Sequence, residues 1–221
     1  MTFVEEVLIK VSNISKRIKE VTILHDISLE LYEGNVYGFQ GRNGSGKTML
    51  FRAITGLISV DEGFIVVNDL NLNNKYFAND VGLLLENPSF LPNLSAKKNL
   101  EMIASIRNKI GESRINEVLK LVGLYDERNK EYKKYSLGMK QRLAIGQAIM
   151  EYPKILILDE PTNAIDNEGI DVLKDIVYNE KTKGTIILIA SHEREILEDL
   201  SDEIFVMNDG KIVEHKKNLQ L

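Results

Sequence analysis

The sequence predicts an α/β fold, with a parallel-sheet core that carries an antiparallel β subdomain and an inserted α-helical subdomain. Three observations predict it. Short runs of Val, Ile and Leu at residues 36–39, 81–85, 155–158 and 185–190 each break off into polar or glycine-rich residues, as strands buried on both faces do. Stretches that alternate apolar with polar residues flank the first run. A long stretch with helical spacing and no strand pattern separates the second run from the third.

In chain order, residues 8–11 and 27–31 alternate, as do 64–67 after Asp61, Glu62 and Gly63, which suits antiparallel strands beside the core. The run 36–39 leads through a glycine-rich turn into a helix over 46–56, with Leu50, Phe51 and Ile54 on its apolar face. That is the crossover a parallel sheet requires. Between Asn87 and Tyr152 apolar residues recur at helical spacing, as in Ile115, Val118, Leu119 and Val122 behind a Ser113 cap. The last helix of this stretch is expected to start near Ser136 and stop at Tyr152, because Pro153 disfavours helical geometry in the residue before it. The chain closes with strand, turn and strand: 204–207, then Asn208, Asp209 and Gly210, then 212–214. The expected organisation is a single domain over 1–221. Residues 1–86 and 153–221 form the core with its β subdomain, and 87–152 form the helical subdomain.

Bulk properties limit the function classes. A chain of 221 residues, 43% hydrophobic, is the size of one α/β domain. A formal net charge of −5 and a pI near 5.4 supply no general attraction to phosphate backbones, so no nucleic-acid partner is expected. With no cysteine there are no disulfides and no thiolate metal sites, which suits a reducing compartment. Residues 1–10 contain Glu5 and Glu6 and no long apolar core, so a signal peptide is not expected. The other apolar runs are far shorter than a bilayer demands, so any membrane role is peripheral.

The chemistry concentrates in three places. Gly41-Arg42-Asn43-Gly44-Ser45-Gly46-Lys47-Thr48 fits G-x-x-x-x-G-K-[ST] between a predicted strand and a predicted helix, the context this loop needs. Glycines let backbone N–H groups curl around phosphate oxygens, the helix N-terminus adds a favourable dipole, Lys47 spans the terminal phosphates, and Thr48 offers its hydroxyl to Mg²⁺. The run 155–158 delivers Asp159 and Glu160 at a strand's C-terminal end, where ligands bind in open α/β sheets. Asp159 is read as the Mg²⁺ holder and Glu160 as the group that orients and deprotonates the attacking water. Two acids after a strand also suit a plain solvated turn, and it is Lys47 upstream that favours catalysis. The run 185–190 ends in Ser191 and His192, which puts an imidazole on the same sheet edge, either to contact the terminal phosphate or, as a lone histidine after a strand usually does, to serve a structural role.

In this order the motifs resemble those of the nucleotide-binding subunits of ABC transporters, over nearly the whole chain. Tyr135-Ser136-Leu137-Gly138-Met139, followed by Lys140-Gln141-Arg142, resembles the LSGGQ-type signature, and residues 161–166, ending in Asp166, resemble the D-loop. The resemblance implies a P-loop NTPase (RecA-like) core that hydrolyses ATP with Mg²⁺. Gly41, Asn43, Gly44, Ser45, Gly46, Lys47, Thr48 and Met49 would then hold the nucleotide. Glu160 and His192 would be catalytic, with Thr48, Glu86 and Asp159 at the metal. It also implies a dimer with a second nucleotide-binding subunit, in which Ser136 and Gly138 grip ATP bound opposite and Asp166 lies at the contact. A separate membrane-spanning permease would fix the pair to the cytoplasmic face of the membrane.

This chain departs from the family pattern at three points. Ile18 stands where the family usually has an aromatic residue stacking on adenine, which implies loose base selectivity. Glu86 replaces the usual glutamine, and Leu137 and Met139 replace commoner signature residues. The stretch 85–88 and the signature look like the branch that exports antimicrobial peptides, including bacitracin and lantibiotic self-protection systems. Phe90 and Leu91, set between Pro88 and Pro92, are expected either to receive a helix of the membrane partner or to pack inside the helical lobe. The alternative to transport is the same motor in another role, as a nucleotide-gated membrane scaffold or a ribosome-linked ATPase.

Overall fold

The computed structural model describes residues 7–74, 76–85 and 89–218. In chain order the strands are β1 (Val7–Ile18), β2 (Val21–Tyr32), β3 (Val36–Gln40), β4 (Glu62–Val67), β5 (Leu70–Asn71), β6 (Val81–Leu84), β7 (Ile155–Asp159), β8 (Ile186–Ser191), β9 (Glu203–Asn208) and β10 (Lys211–Lys217). The helices are α1 (Lys47–Ile54), α2 (Ala96–Arg107), α3 (Glu112–Leu121), α4 (Leu137–Ile149), α5 (Asn167–Thr182) and α6 (Arg194–Leu200). Among them no helix is long and apolar enough to cross a membrane.

The larger sheet runs in the order β10-β9-β3-β8-β7-β6 and the smaller in the order β2-β1-β4-β5. Strands β9, β3, β8, β7 and β6 are mutually parallel, and β10 folds back antiparallel on β9. The smaller sheet is antiparallel throughout. The closing hairpin read from the sequence is present, and its first strand also joins the parallel sheet beside β3.

Continuous aliphatic runs make the core because every β7 and β8 residue is buried. Leu156 and Leu158 face a cluster with Leu143 of α4 and Leu173 of α5. Ile155 and Ile157 face the opposite cluster, with Leu50 and Phe51 of α1 and Ile9 and Leu24 of the smaller sheet. The period of two thus welds helices to one face and the β layer to the other.

Between β6 and β7 the described residues form α2, α3 and α4 and no strand. Asn99, fully buried, staples the stretch before α2: its side-chain oxygen accepts from Leu91 N (2.8 Å), and its Nδ2 donates to the carbonyls of Leu91, Leu94 and Ser95. Two expectations change here. Gly111, not Ser113, occupies the N-cap of α3, and no side chain caps it. Helix α4 ends at Ile149 rather than Tyr152: Pro153 has no N–H to offer the Ile149 carbonyl, and buried Arg114 takes the carbonyls of Ile149 and Met150 (3.0 and 3.2 Å) and stacks its guanidinium on the Tyr152 ring. Tyr152 itself turns left-handed, with φ 54°.

Helix α4 lies so close to β6 that a Cβ on Gly82 would collide with the Ala148 carbonyl. Gly82→Ala is therefore expected to lower unfolding stability by about 1–3 kcal/mol, as overpacking does. Gly111→Ser, in open space at a helix start, should stay within a few tenths of a kcal/mol of the parent or gain slightly. Urea denaturation of the three proteins checks the difference.

Candidate active site

The glycine-rich loop leaves β3 at Gln40 and enters α1 at Lys47. Gly44 (φ 82°) and Gly46 (φ 105°) hold left-handed conformations that glycine adopts without strain. Two other segments clamp the loop. Gly210 N, in the β9–β10 turn, donates to Ser45 O (2.9 Å), and His25 N of β2 donates to Gly210 O (2.8 Å). A Cβ on Gly41 would crowd Ser45 Oγ and the Met207 carbonyl, and one on Gly46 the Ile23 carbonyl and Gly210 Cα.

Parallel register brings the acids to this loop. Gln40 pairs with Ser191, and Asp159 with Ala190, so β3, β8 and β7 end level. Thr48 Oγ1 donates to Asp159 Oδ2 at 2.5 Å. Lys47, 5% exposed, donates to the carbonyls of Gly41 (2.7 Å) and Arg42 (3.4 Å). Its Nζ also lies 3.3 Å from Glu160 Oε1. That oxygen makes no hydrogen bond among the described residues, so this ion pair is what offsets its burial. Glu160 Oε2 meets His192 Nδ1 at 2.9 Å, with the imidazole half-exposed. Glu160 has φ 49°, a conformation that costs a non-glycine residue energy and clusters at functional sites.

These groups surround a cavity of about 540 Å³. Of the residues read from the sequence, Asn43, Gly44, Ser45, Gly46, Lys47, Thr48, Met49, Asp159 and Glu160 line it. Gly41 meets it through Lys47, and His192 through Glu160. Ser136, Gly138 and Asp166 lie elsewhere. Ser136 Oγ accepts from Met139 N (3.2 Å) at the start of α4, and Asp166 Oδ1 accepts from Gly169 N (3.0 Å) at the start of α5. Gly138 packs on the Ala164 carbonyl. Tyr135, beside the signature serine, donates to Glu127 O (2.9 Å), and burial pushes its phenol up to about 12. Glu86, with Asn87 and Pro88, lies outside the described residues. Ile18, expected at the base, stands exposed at the β1–β2 hairpin and does not line the cavity. Phe90 packs edge-on against Tyr132, while Leu91 remains about half-exposed.

Three lining residues had no assigned role: Ile23, Gln141 and Asn163. The last two stand inside the signature and D-loop stretches, so their motifs pointed at them. Nothing local marked Ile23, which reaches the cavity only because β2 packs under the loop.

Glycine amides, a buried lysine and a buried Ser45 Oγ with no hydrogen-bond partner among the described residues fit the phosphates of a nucleotide. The Thr48 hydroxyl beside the Asp159 carboxylate is a hard oxygen pair of the kind Mg²⁺ takes.

The site and fold define a P-loop nucleotide-binding protein. A family model described as ABC transporter matches residues 24–163. The chain is 43% identical over 211 residues to the uncharacterized ABC transporter ATP-binding protein YybJ of Bacillus subtilis (strain 168), covering 95% of this chain and 97% of that one. It is 36% identical to the bacitracin transport ATP-binding protein BcrA of Enterococcus faecalis, over 96% of this chain and 72% of the relative. It is 35% identical to the lantibiotic transport ATP-binding protein SrtF of Streptococcus pyogenes, over 95% and 91%. Its fold matches a dimeric structure of the ATP-binding cassette MJ0796 bound to ADP and Pi, with a TM-score of 0.84 at 22% identity, covering 96% of this chain and 100% of the other. The chain belongs to the ABC transporter family, as an ATP-binding, ATP-hydrolysing subunit.

Gly46→Ala is expected to weaken ATP binding at least about tenfold, since left-handed strain of about 1–3 kcal/mol adds to backbone crowding by Ile23 and Gly210. Gly44→Ala, equally left-handed but with nothing within 4 Å of its Cβ, should lose less. Equilibrium titration with a fluorescent ATP analogue ranks the two.

Proposed function

We propose that this subunit energises an exporter of antimicrobial peptide or drug-like cargo, working as one of two nucleotide-binding chains on a separate membrane-spanning permease at the cytoplasmic face of the membrane. The bacitracin and lantibiotic transport relatives support the cargo class. We divide the chain into a core with its β subdomain (1–86 and 153–221) and a helical subdomain (87–152).

The observation that carries the catalytic reading is the meeting of Lys47, Thr48, Asp159 and Glu160 at one cavity. The N–H groups of 43–49 cradle the phosphates, and Lys47 exchanges the Gly41 and Arg42 carbonyls for phosphate oxygens. Thr48 and Asp159 hold Mg²⁺, which neutralises phosphate charge when bound; Glu86 is proposed to add a carboxylate. Glu160 takes the proton of the attacking water, while the His192 contact fixes its Oε2 and leaves the imidazole's other nitrogen for the terminal phosphate. Ser136, Leu137 and Asp166, all exposed, are free to meet a second subunit. There Ser136 and Gly138 would grip the opposite ATP with the N–H groups that open α4.

Glu160→Gln is expected to keep MgATP binding and lose turnover by about 100-fold or more, whereas Lys47→Ala weakens binding as well. Phosphate release and binding isotherms on the purified chain separate these effects, and parental turnover in Glu160→Gln would remove the base from the scheme.

Leu91 is proposed to meet the permease. Tagged protein from mild-detergent membranes is expected to bring down a multi-spanning membrane protein, and Leu91→Asp to release it without loss of ATP binding. Recovery with ribosomes instead would overturn the transporter reading.

A further inference from the structure

Gln141 has no part in the scheme above, yet it lines the cavity and is 8% exposed. Its Nε2 donates to the carbonyls of Glu160 and Pro161, each at 3.3 Å. Those two carbonyls follow the end of β7, past the last ladder pairs with β6 and β8 among the described residues, and buried backbone acceptors need donors. Asn163 N reaches the Glu160 carbonyl as well, at 3.2 Å.

We propose that Gln141 is a positioning residue for hydrolysis, acting through the peptide of Glu160; this rests on the reading of Glu160 as the base. Glu160 sits at φ 49°, a conformation that relaxes unless its surroundings hold it. Ala190 O holds the amide side, accepting from Glu160 N at 2.9 Å. Gln141 holds the carbonyl side together with Asn163 N, and the carboxylate direction follows from the two sides together. Gln141 is also one turn into α4, the helix that Ser136 caps and that opens with Leu137 and Gly138. A shift of α4, such as a grip on the second subunit's nucleotide would produce, therefore reaches the base of the same chain through one side chain.

The test uses single-turnover hydrolysis with the full chain in excess over MgATP, alongside MgATP binding and thermal unfolding. Gln141→Met keeps length and volume but removes the donor, and Gln141→Asn keeps the amide but ends one methylene short. A displacement of about 1 Å in a catalytic group costs on the order of 100-fold. Both variants should thus lose at least about tenfold in the single-turnover rate, with MgATP affinity within about twofold of the parent.

On the Glu160→Gln background the Gln141→Met change should leave the residual rate unchanged, because effects through one group do not add. Equal losses on both backgrounds, or parental rates in both single variants, would overturn the proposal. If Glu160→Gln alone retained the parental rate, the base reading would fall instead, and the controls would separate the two failures.

Discussion

Register among three parallel strands decides whether this molecule has a site at all. The phosphate loop leaves β3 and the two acids leave β7, and these strands are not neighbours; β8 lies between them. Only because Gln40 pairs with Ser191 and Ala190 with Asp159 do Thr48 and Asp159 meet at 2.5 Å. A slip of one residue along β8 would move the acid by about 3.3 Å and turn the aliphatic faces over. What prevents that slip is burial on both sides. Each face of β7 feeds a separate hydrophobic cluster, so a shifted strand would carry its side chains into the wrong cluster on both faces at once.

The same burial explains where backbone irregularity is tolerated. Left-handed Gly44, Gly46 and Glu160 all stand at the C-terminal edge of the sheet, where the ladder stops. Each is held from outside its own element. The β9–β10 turn clamps the loop through Ser45, and β8 and α4 hold Glu160 from either side. The C-terminal hairpin is thereby part of the nucleotide site without presenting a side chain to the cavity.

Legibility in the sequence tracked how local each signal is. The loop from Gly41 to Thr48 was readable because its chemistry and spacing are contiguous, and the four aliphatic runs because a strand buried on both faces needs no alternation. Ser113 misled because Gly111 and Ser113 both suit a helix start and only packing chooses between them. Pro153 marked the end of α4 to within three residues, and Arg114, a distant residue, takes the Ile149 carbonyl that the proline cannot serve. The pairing of β9 with β3 is long-range, and a hairpin signal says nothing about which sheet it joins. Ile23 reaches the cavity by tertiary packing alone.

Lys47 and Glu160 sit 3.3 Å apart, the lysine almost fully buried. At an effective dielectric of about 20 their attraction is about 5 kcal/mol before desolvation is subtracted. While that pair stands, the proposed base is occupied by a cation and is poorly placed to take a proton from water. Phosphate oxygens entering the loop compete for the same Nζ and carry more charge than one carboxylate. Under the proposed scheme, nucleotide arrival would draw Lys47 away and free Glu160 in a single exchange, with His192 as its remaining side-chain partner. Such an exchange would keep the buried lysine paired throughout and would make the proposed base available only when there is a phosphate to attack.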